Sequence, residues 1–481
     1  MADPDPRRVT AGLLLGGALY GALVAGVLGQ DSGFDLRNYH WSNAWSLLHG
    51  RWGRDVAIGQ LQSFFNPLID LPYYAAVTTL GGAGTLVMGA LHGLVIGLVG
   101  LLGRHLGLSR LAIGASLVAA AAGPVFLDGV GTSQGDLLVA AGVLGGLLLF
   151  LQGRDGPAAV LTGAIVGLKL TAAPFALALL VAALVHRRSW RPVLGGLAVG
   201  WAVTGAWWAV LLAIRTGNPV FPMANHLFQS PWADAQHYGE MGYFPSGLGW
   251  ITLPLTLAVD GARSWSMEWR DARWLVLWGV GIGWAARRKG EAGVLLAWAA
   301  TAWVVWEGLS SLIRYMAPIE ALTGLLLAVA LRDLVGRRSA AATAVIVALL
   351  VLWARPPNLS RVPLARDGLG VVVPPVDGPR PVVVTAGEAP LGYLAPSFPA
   401  DARHLRISSS IVGPTEDTEL NRRIRAALQD ADPVVLVMDS EEDVTAHLVA
   451  YGLPAPGDCV PVRSHLDDTL VLCPLTQGVD R

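Results

Sequence analysis

Apolar runs of about 20 residues, the length a helix needs to cross a hydrocarbon layer, recur from Val9–Leu28 to about Ala354. After the first run they fall near 84–103, 110–127, 136–152, 157–171, 172–186, 191–214, 272–286, 291–308, 313–332 and 340–354. The pattern predicts an α-helical polytopic membrane protein with about eleven transmembrane helices. The first run is longer than the ~7–15 apolar residues of a signal peptide and many spans follow it, so it reads as a retained helix. The segment 67–82 is apolar but reads as a hairpin or surface helix that does not cross.

Beyond Pro356 the pattern changes. Pro-rich linkers alternate with short β-type runs ("RPVVVTA", "DPVVLVMD", "CVPV", "TLVLCPL") and amphipathic helical patterns at 417–430 and 441–451. This predicts a small α/β domain over 356–481, large enough to hold its own core. Residues 1–355 form the membrane part, interrupted by polar segments at 29–83 and 215–271.

Composition agrees: 53% of the 481 residues are hydrophobic and 14% charged, where soluble domains carry about a quarter. The net charge of −1 argues against a nucleic-acid partner. Basic clusters set the orientation. With the N-terminus in the cytoplasm, Arg104/His105/Arg110, Arg154, His186/Arg187/Arg188/Arg191, Arg287/Arg288/Lys289 and Arg332/Arg337/Arg338 all fall on the cytoplasmic side. Segments 29–83, 128–135, 215–271 and everything after about 354 are then extracytoplasmic, and the expected location is a bacterial plasma (inner) membrane. Counting 67–82 as a span inverts every downstream cluster.

The two cysteines sit in the C-terminal domain. If "CVPV" and "TLVLCPL" turn back around "SHLDD", Cys459 and Cys473 are equidistant from Leu466 and face each other across a hairpin. A disulfide there fits strand geometry and an oxidising compartment; the alternative is two buried thiols.

Leaving the first helix, the chain presents "GQDSGFDLRNYHWSNAW", with Asp35, Tyr39 and His40 at membrane-surface height. Asp35 precedes a possible helix over 36–48 and is either its N-cap or a reactive carboxylate. The layout resembles the polytopic GT-C glycosyltransferases that use lipid-phosphate-linked sugars. "FDLRNYHWSNAWSLLHG" and "FFNPLIDLPYY" stand where that superfamily has an acidic first external loop and a Pro-containing segment. "GLKLTAAPF" and "SLIRYMAPIEAL" stand where it has a Lys element and the start of a late helix. Two departures mark the loop: Leu36 replaces a second acid, and Pro67 stands where two prolines are common.

The resemblance implies inverting transfer of a sugar from a polyprenyl phosphate to a glycan, lipid or protein acceptor. It needs a base at the acceptor oxygen and cations on the departing phosphate. Asp35 is the candidate base, and Asp136 either supports it, binds the sugar, or caps the helix it opens. Arg314 and Lys169 are the candidate phosphate ligands; the alternatives are snorkelling or pairing with Glu307 for Arg314, and pairing with Glu320 for Lys169. Tyr39, His40, His237 and Glu240 are candidate substrate contacts. His237 and Glu240 are also possible ligands of a divalent cation (Mg or Mn), with no third ligand at metal spacing. His92, within a span, reads as a packing residue. The competing classes are a flippase or transporter of lipid-linked saccharides, which should place charges at the bilayer midplane, and a non-catalytic envelope-assembly protein.

Overall fold

The computed structural model describes residues 5–238, 243–265, 267–285, 290–414 and 417–475. Glu240 and the basic cluster Arg287, Arg288 and Lys289 lie outside the described residues. The chain divides into two compact units. Unit 1 comprises Met1–Leu28, Leu86–Trp207 and Gly239–Leu359; unit 2 comprises Gly29–Thr85, Trp208–Tyr238 and Ser360–Arg481. These units cut the chain differently from a single boundary after residue 355, because 29–85 and 208–238 group with the C-terminal part.

Unit 1 is helical, and the helices follow the apolar runs closely. Pro6–Leu28, Gly84–His105, Arg110–Ala121, Asp136–Leu151, Asp155–Leu168, Ala173–Val185, Arg273–Ala285, Gly290–Leu309, Ala317–Val335 and Ser339–Trp353 each occupy a predicted position. Among the described residues, five helical stretches are long and apolar enough to cross a membrane, and the chain is a membrane protein. A helix at Gly249–Val259 stands where the sequence suggested only loop; its 11 residues, with Pro254 inside, are too short for the 20-residue criterion.

Small residues let the helices approach. Gly17 and Gly21 of the first helix face Gly89 and Gly93, and a Cβ on Gly21 would strike the Gly89 carbonyl. Such glycine faces replace hydrophobic driving force with backbone contact in a lipid setting. Ala317–Val335 is the innermost helix, buried at every residue from Ala317 to Leu331.

Two short helices, Asp155–Leu168 and Ala173–Val185, form a hairpin. At ~1.5 Å per residue neither matches the ~30 Å of a full hydrocarbon core. Lys169 leaves the helical region (φ −146°, ψ 112°), and Pro174 opens the next helix. The chain returns to its start, since Arg188 meets Asp155 at 2.9 Å. Lys169 is therefore at the apex of the hairpin rather than within a span.

Unit 2 is built on a five-stranded sheet. In chain order its strands, after a pair β1 (Gln30–Asp31) and β2 (Arg361–Val362), are β3 (Val382–Thr385), β4 (Arg403–Arg406), β5 (Val434–Asp439), β6 (Val460–Pro461) and β7 (Leu470–Pro474). The order is β4-β3-β5-β7-β6, with β3 parallel to β4 and β5, and β7 antiparallel to β5 and β6. The β6–β7 register pairs Val460 with Leu472, and Cys459 and Cys473 form a disulfide. Strand β4 was not legible in the sequence because it reads Arg-His-Leu-Arg, yet His404 and Arg406 are buried.

The 29–85 segment is woven into this unit. β1 pairs with β2, Val56 bridges to Leu405 of β4, and Arg51 donates to the carbonyls of Ala400 and Ala402. The predicted 36–48 helix is present as a π turn, Leu36–His40, running into Trp41–Leu48. The 67–82 stretch holds a 3-10 turn (Pro67–Asp70) and a 10-residue helix (Leu71–Leu80), broken at Gly81 (φ 59°).

Candidate functional site

Two groups of the predicted residues are described, one in each unit. In unit 1 the group is built around Asp136. Gly135 takes a left-handed conformation (φ 74°) as the residue before the helix, which Asp136 opens. Its carboxylate turns to the hairpin apex, where Lys169 Nζ lies 2.6 Å from Oδ1. Lys169 also donates to the Gln134 carbonyl at 2.7 Å. Arg314 Nε lies 3.8 Å from Oδ2 of the same carboxylate.

The helix order explains the convergence. Lys169 is presented by the apex, Asp136 by a helix start, and Arg314 by the 3-10 turn Ile313–Met316 that leads into the innermost helix. Tyr315 lies under both cations, with Lys169 Nζ at 5.6 Å and the Arg314 guanidinium at 5.5 Å from the ring centre. The carboxylate is 4% exposed and the two cations 15% and 14%, so both cations keep an accessible side. Lys169 has three N–H donors and its two protein bonds leave one for a ligand.

The loop 128–135 is fixed from below. His92 accepts the Gly131 N–H at 3.0 Å, as expected of a packing residue, and Gln134 donates to Asp128 at 3.0 Å. Glu320, the alternative partner of Lys169, is instead 3.6 Å from Arg273 and accepts the Val125 N–H. Arg273 in turn meets Asp271 at 2.5 Å. This buried group supports the start of helix Pro124–Gly129 and was not foreseen.

In unit 2 the group is carried by the helix that begins at Phe34. Asp35 is half-buried and helical (φ −65°, ψ −40°), with no capping bond. The N-cap alternative is therefore not what the structure shows. Tyr39 is buried with its ring 4.0 Å from that of His40. His40 Nδ1 is 2.6 Å from Asp70, both side chains almost fully buried, while Nε2 meets no hydrogen-bond partner among the described residues. A carboxylate on one ring nitrogen fixes the ring's orientation. Asp70 was missed; its signal was a lone acid in the apolar segment "NPLIDLPYY". Two residues past Asp35, Arg37 pairs with Asp467 at 2.5 Å.

His237 stands exposed beside His226, ring centres 5.3 Å apart. Among the described residues no three His, Cys, Asp or Glu side chains gather as a metal site. The one carboxylate in the unit 1 group already lies between two cations, so a divalent cation does not fit there.

No protein-family model matches the chain, and no curated protein matches it in sequence. Two solved structures do match in shape: the crystal structures of ArnT from Cupriavidus metallidurans, one bound to undecaprenyl phosphate and one in the apo state. Their TM-scores are 0.56 and 0.55, each at 16% identity over 97% of this chain and 98% of the other. The chain has the GT-C fold.

Proposed function

We propose that the chain is an integral-membrane glycosyltransferase that moves a sugar from a polyprenyl-phosphate donor to an extracytoplasmic acceptor. One observation carries this reading. Lys169 and Arg314, far apart in sequence, converge on Asp136 in unit 1 with partly exposed side chains, in a fold shared with a protein that binds undecaprenyl phosphate.

The chemistry follows from these charges. The acceptor hydroxyl attacks the anomeric carbon, the bond from that carbon to the phosphate oxygen breaks, and the polyprenyl phosphate departs with the bonding pair. Lys169 and Arg314 offset the charge that develops on it. Arg314 suits this role because its planar fork matches phosphate oxygens. Asp136 is a positioning residue: it holds the two cations together and cannot accept a proton without loosening them. Asp35 takes the hydroxyl proton, and the single displacement inverts the sugar carbon.

The test compares Asp35→Asn with Asp136→Asn in the purified chain, using synthetic polyprenyl-phosphate sugars. Base catalysis is typically worth ~10²–10⁴-fold, so Asp35→Asn should lose turnover by that factor and keep donor binding, while Asp136→Asn should weaken donor binding. Near-normal turnover in Asp35→Asn removes Asp35 from the mechanism.

A further inference from the structure

The apolar stretch Trp190–Thr216 is helical over 27 residues, about 40 Å at ~1.5 Å per residue. That exceeds the ~30 Å hydrocarbon core and approaches the thickness of a bilayer with its headgroups. From Trp208 onward this helix belongs to unit 2. Ile214 is 78% exposed there, so the helix offers apolar surface to lipid up to its final turn. Arg215, the next residue, then stands at headgroup height.

Three more arginines join it. The Trp52 carbonyl accepts from Arg215 at 3.1 Å, that of Gly53 from Arg423 at 3.4 Å, and that of Arg54 from Arg403 at 2.7 Å. The Arg54 side chain adds a fourth guanidinium, bonded to the Asp401 carbonyl. A guanidinium has five N–H donors, and each of these four uses only one or two of them. Asp55 is held bidentately by Arg51, and Glu419 is shared between Arg422 and Arg423. Among the described residues, Arg54, Arg215 and Arg403 have no carboxylate within ion-pair distance. The four therefore form a positive face that the local acids do not neutralise.

The neighbouring loop also suits lipid. From Gly217 to Trp232 the chain carries no Asp, Glu, Lys or Arg. At its tip the short helix Asn225–Phe228 exposes Leu227 and Phe228. The tip is held in place, because buried Asn225 donates to the carbonyls of Ser230, Ala233 and Asp234 and accepts the Ser230 N–H. The loop is tied to the arginines as well. The Pro231 carbonyl accepts the Glu419 N–H, and the Arg423 guanidinium lies 4.2 Å from the centre of the Trp232 ring. Two large apolar side chains held out on an uncharged loop are disfavoured in water and favoured in a lipid layer.

We infer that this face of unit 2 binds anionic phospholipids of the surrounding leaflet, with headgroup phosphates among Arg54, Arg215 and Arg423, and Leu227 and Phe228 entering the lipid beside them. An acidic protein or glycan would meet the charges and leave the apolar tip in water. A zwitterionic headgroup brings its own cation, so lipids of net negative charge are preferred. The inference concerns the lipid around the fold and stands whether or not the chain transfers sugars.

The test uses the full chain in phosphatidylcholine nanodiscs that hold a trace of a photoactivatable lipid, with cross-linked peptides read by mass spectrometry. Two probes carry the same diazirine beside the phosphate, one on phosphatidylglycerol and one on phosphatidylcholine. The phosphatidylglycerol probe should label segments 50–56 and 215–232 at least about tenfold more than its partner probe, and less as salt rises. Arg215→Ala and Arg54→Ala, both at exposed positions, should each lower that labelling about fivefold, the scale of one basic residue at an anionic surface. Leu227→Ser should lower it too. Arg380→Ala, exposed on the same unit and paired with Asp430, should label as the wild type. Size-exclusion profiles and an intact Cys459–Cys473 bond confirm folding of each variant. Equal labelling by the two probes, no label in either segment, or indifference to both arginine variants overturns the inference. So does displacement of the probe by glycerol 3-phosphate, which would mark a site for a free anion.

Discussion

Lys169→Met tests how the unit 1 group is held together. The substitution keeps the length of the side chain and removes the ammonium 2.6 Å from an Asp136 carboxylate that is 4% exposed. Removing one partner of a buried pair costs about 3–5 kcal/mol, because the remaining charge stays desolvated. Lys169 is itself 15% exposed and Arg314 remains 3.8 Å from the other oxygen, so the lower end applies, about 3 kcal/mol. Lost contacts to the Gln134 carbonyl and the Tyr315 ring are included in that figure. Adding Asp136→Asn removes the stranded charge and leaves only hydrogen-bond losses of about 1 kcal/mol. The double variant should therefore be about 2 kcal/mol more stable than Lys169→Met alone, a coupling typical of contacting residues. Reversible unfolding by SDS titration in mixed micelles reads these differences. A double variant as unstable as Lys169→Met, or less stable, would refute the pairing.

Two further predictions concern unit 2. Unreduced, the chain should give a peptide joining Cys459 to Cys473, and reduction should loosen that unit by roughly 3 kcal/mol, the entropic value for a loop of about 15 residues; two freely alkylated thiols in native membranes would contradict it. His404 is buried beside Arg51 and Arg54, and burial first, then those charges, lowers its pKa from 6.5 to about 3. The unfolded chain then binds the extra proton, so stability falls as pH drops from about 6.5 toward 3, by up to about 1.4 kcal/mol per unit. His404→Gln should remove that part of the slope in amide exchange of β4, and an unchanged slope would exclude His404.

The membrane helices were legible because about 20 apolar residues in a row have few other uses. The apparent first-loop helix and the final hairpin were legible for the same local reasons, and the cysteines' symmetry about Leu466 marked the pairing. Strand β4 was hidden by its charged residues: Arg406 donates to the carbonyls of Gly387, Ala389 and Ser408 inside the unit, a satisfaction that no local pattern reveals. Asp136, Lys169 and Arg314 were each nameable as odd charges near apolar runs. Their convergence was not, because it depends on the Asp155–Val185 hairpin folding back and on which helix lies innermost. Asp70 escaped for a similar reason: its partner, His40, is 30 residues away.

The central claim is that Lys169 and Arg314 hold the phosphate of a polyprenyl lipid. Native mass spectrometry of the purified chain with added undecaprenyl phosphate measures this without knowing the sugar. The account predicts a retained lipid in the wild type, binding weakened at least about tenfold by Arg314→Ala, the scale of a charge-assisted contact, and no loss in Asp35→Asn. Equal retention by wild type and Arg314→Ala, or no retention by either, would contradict it.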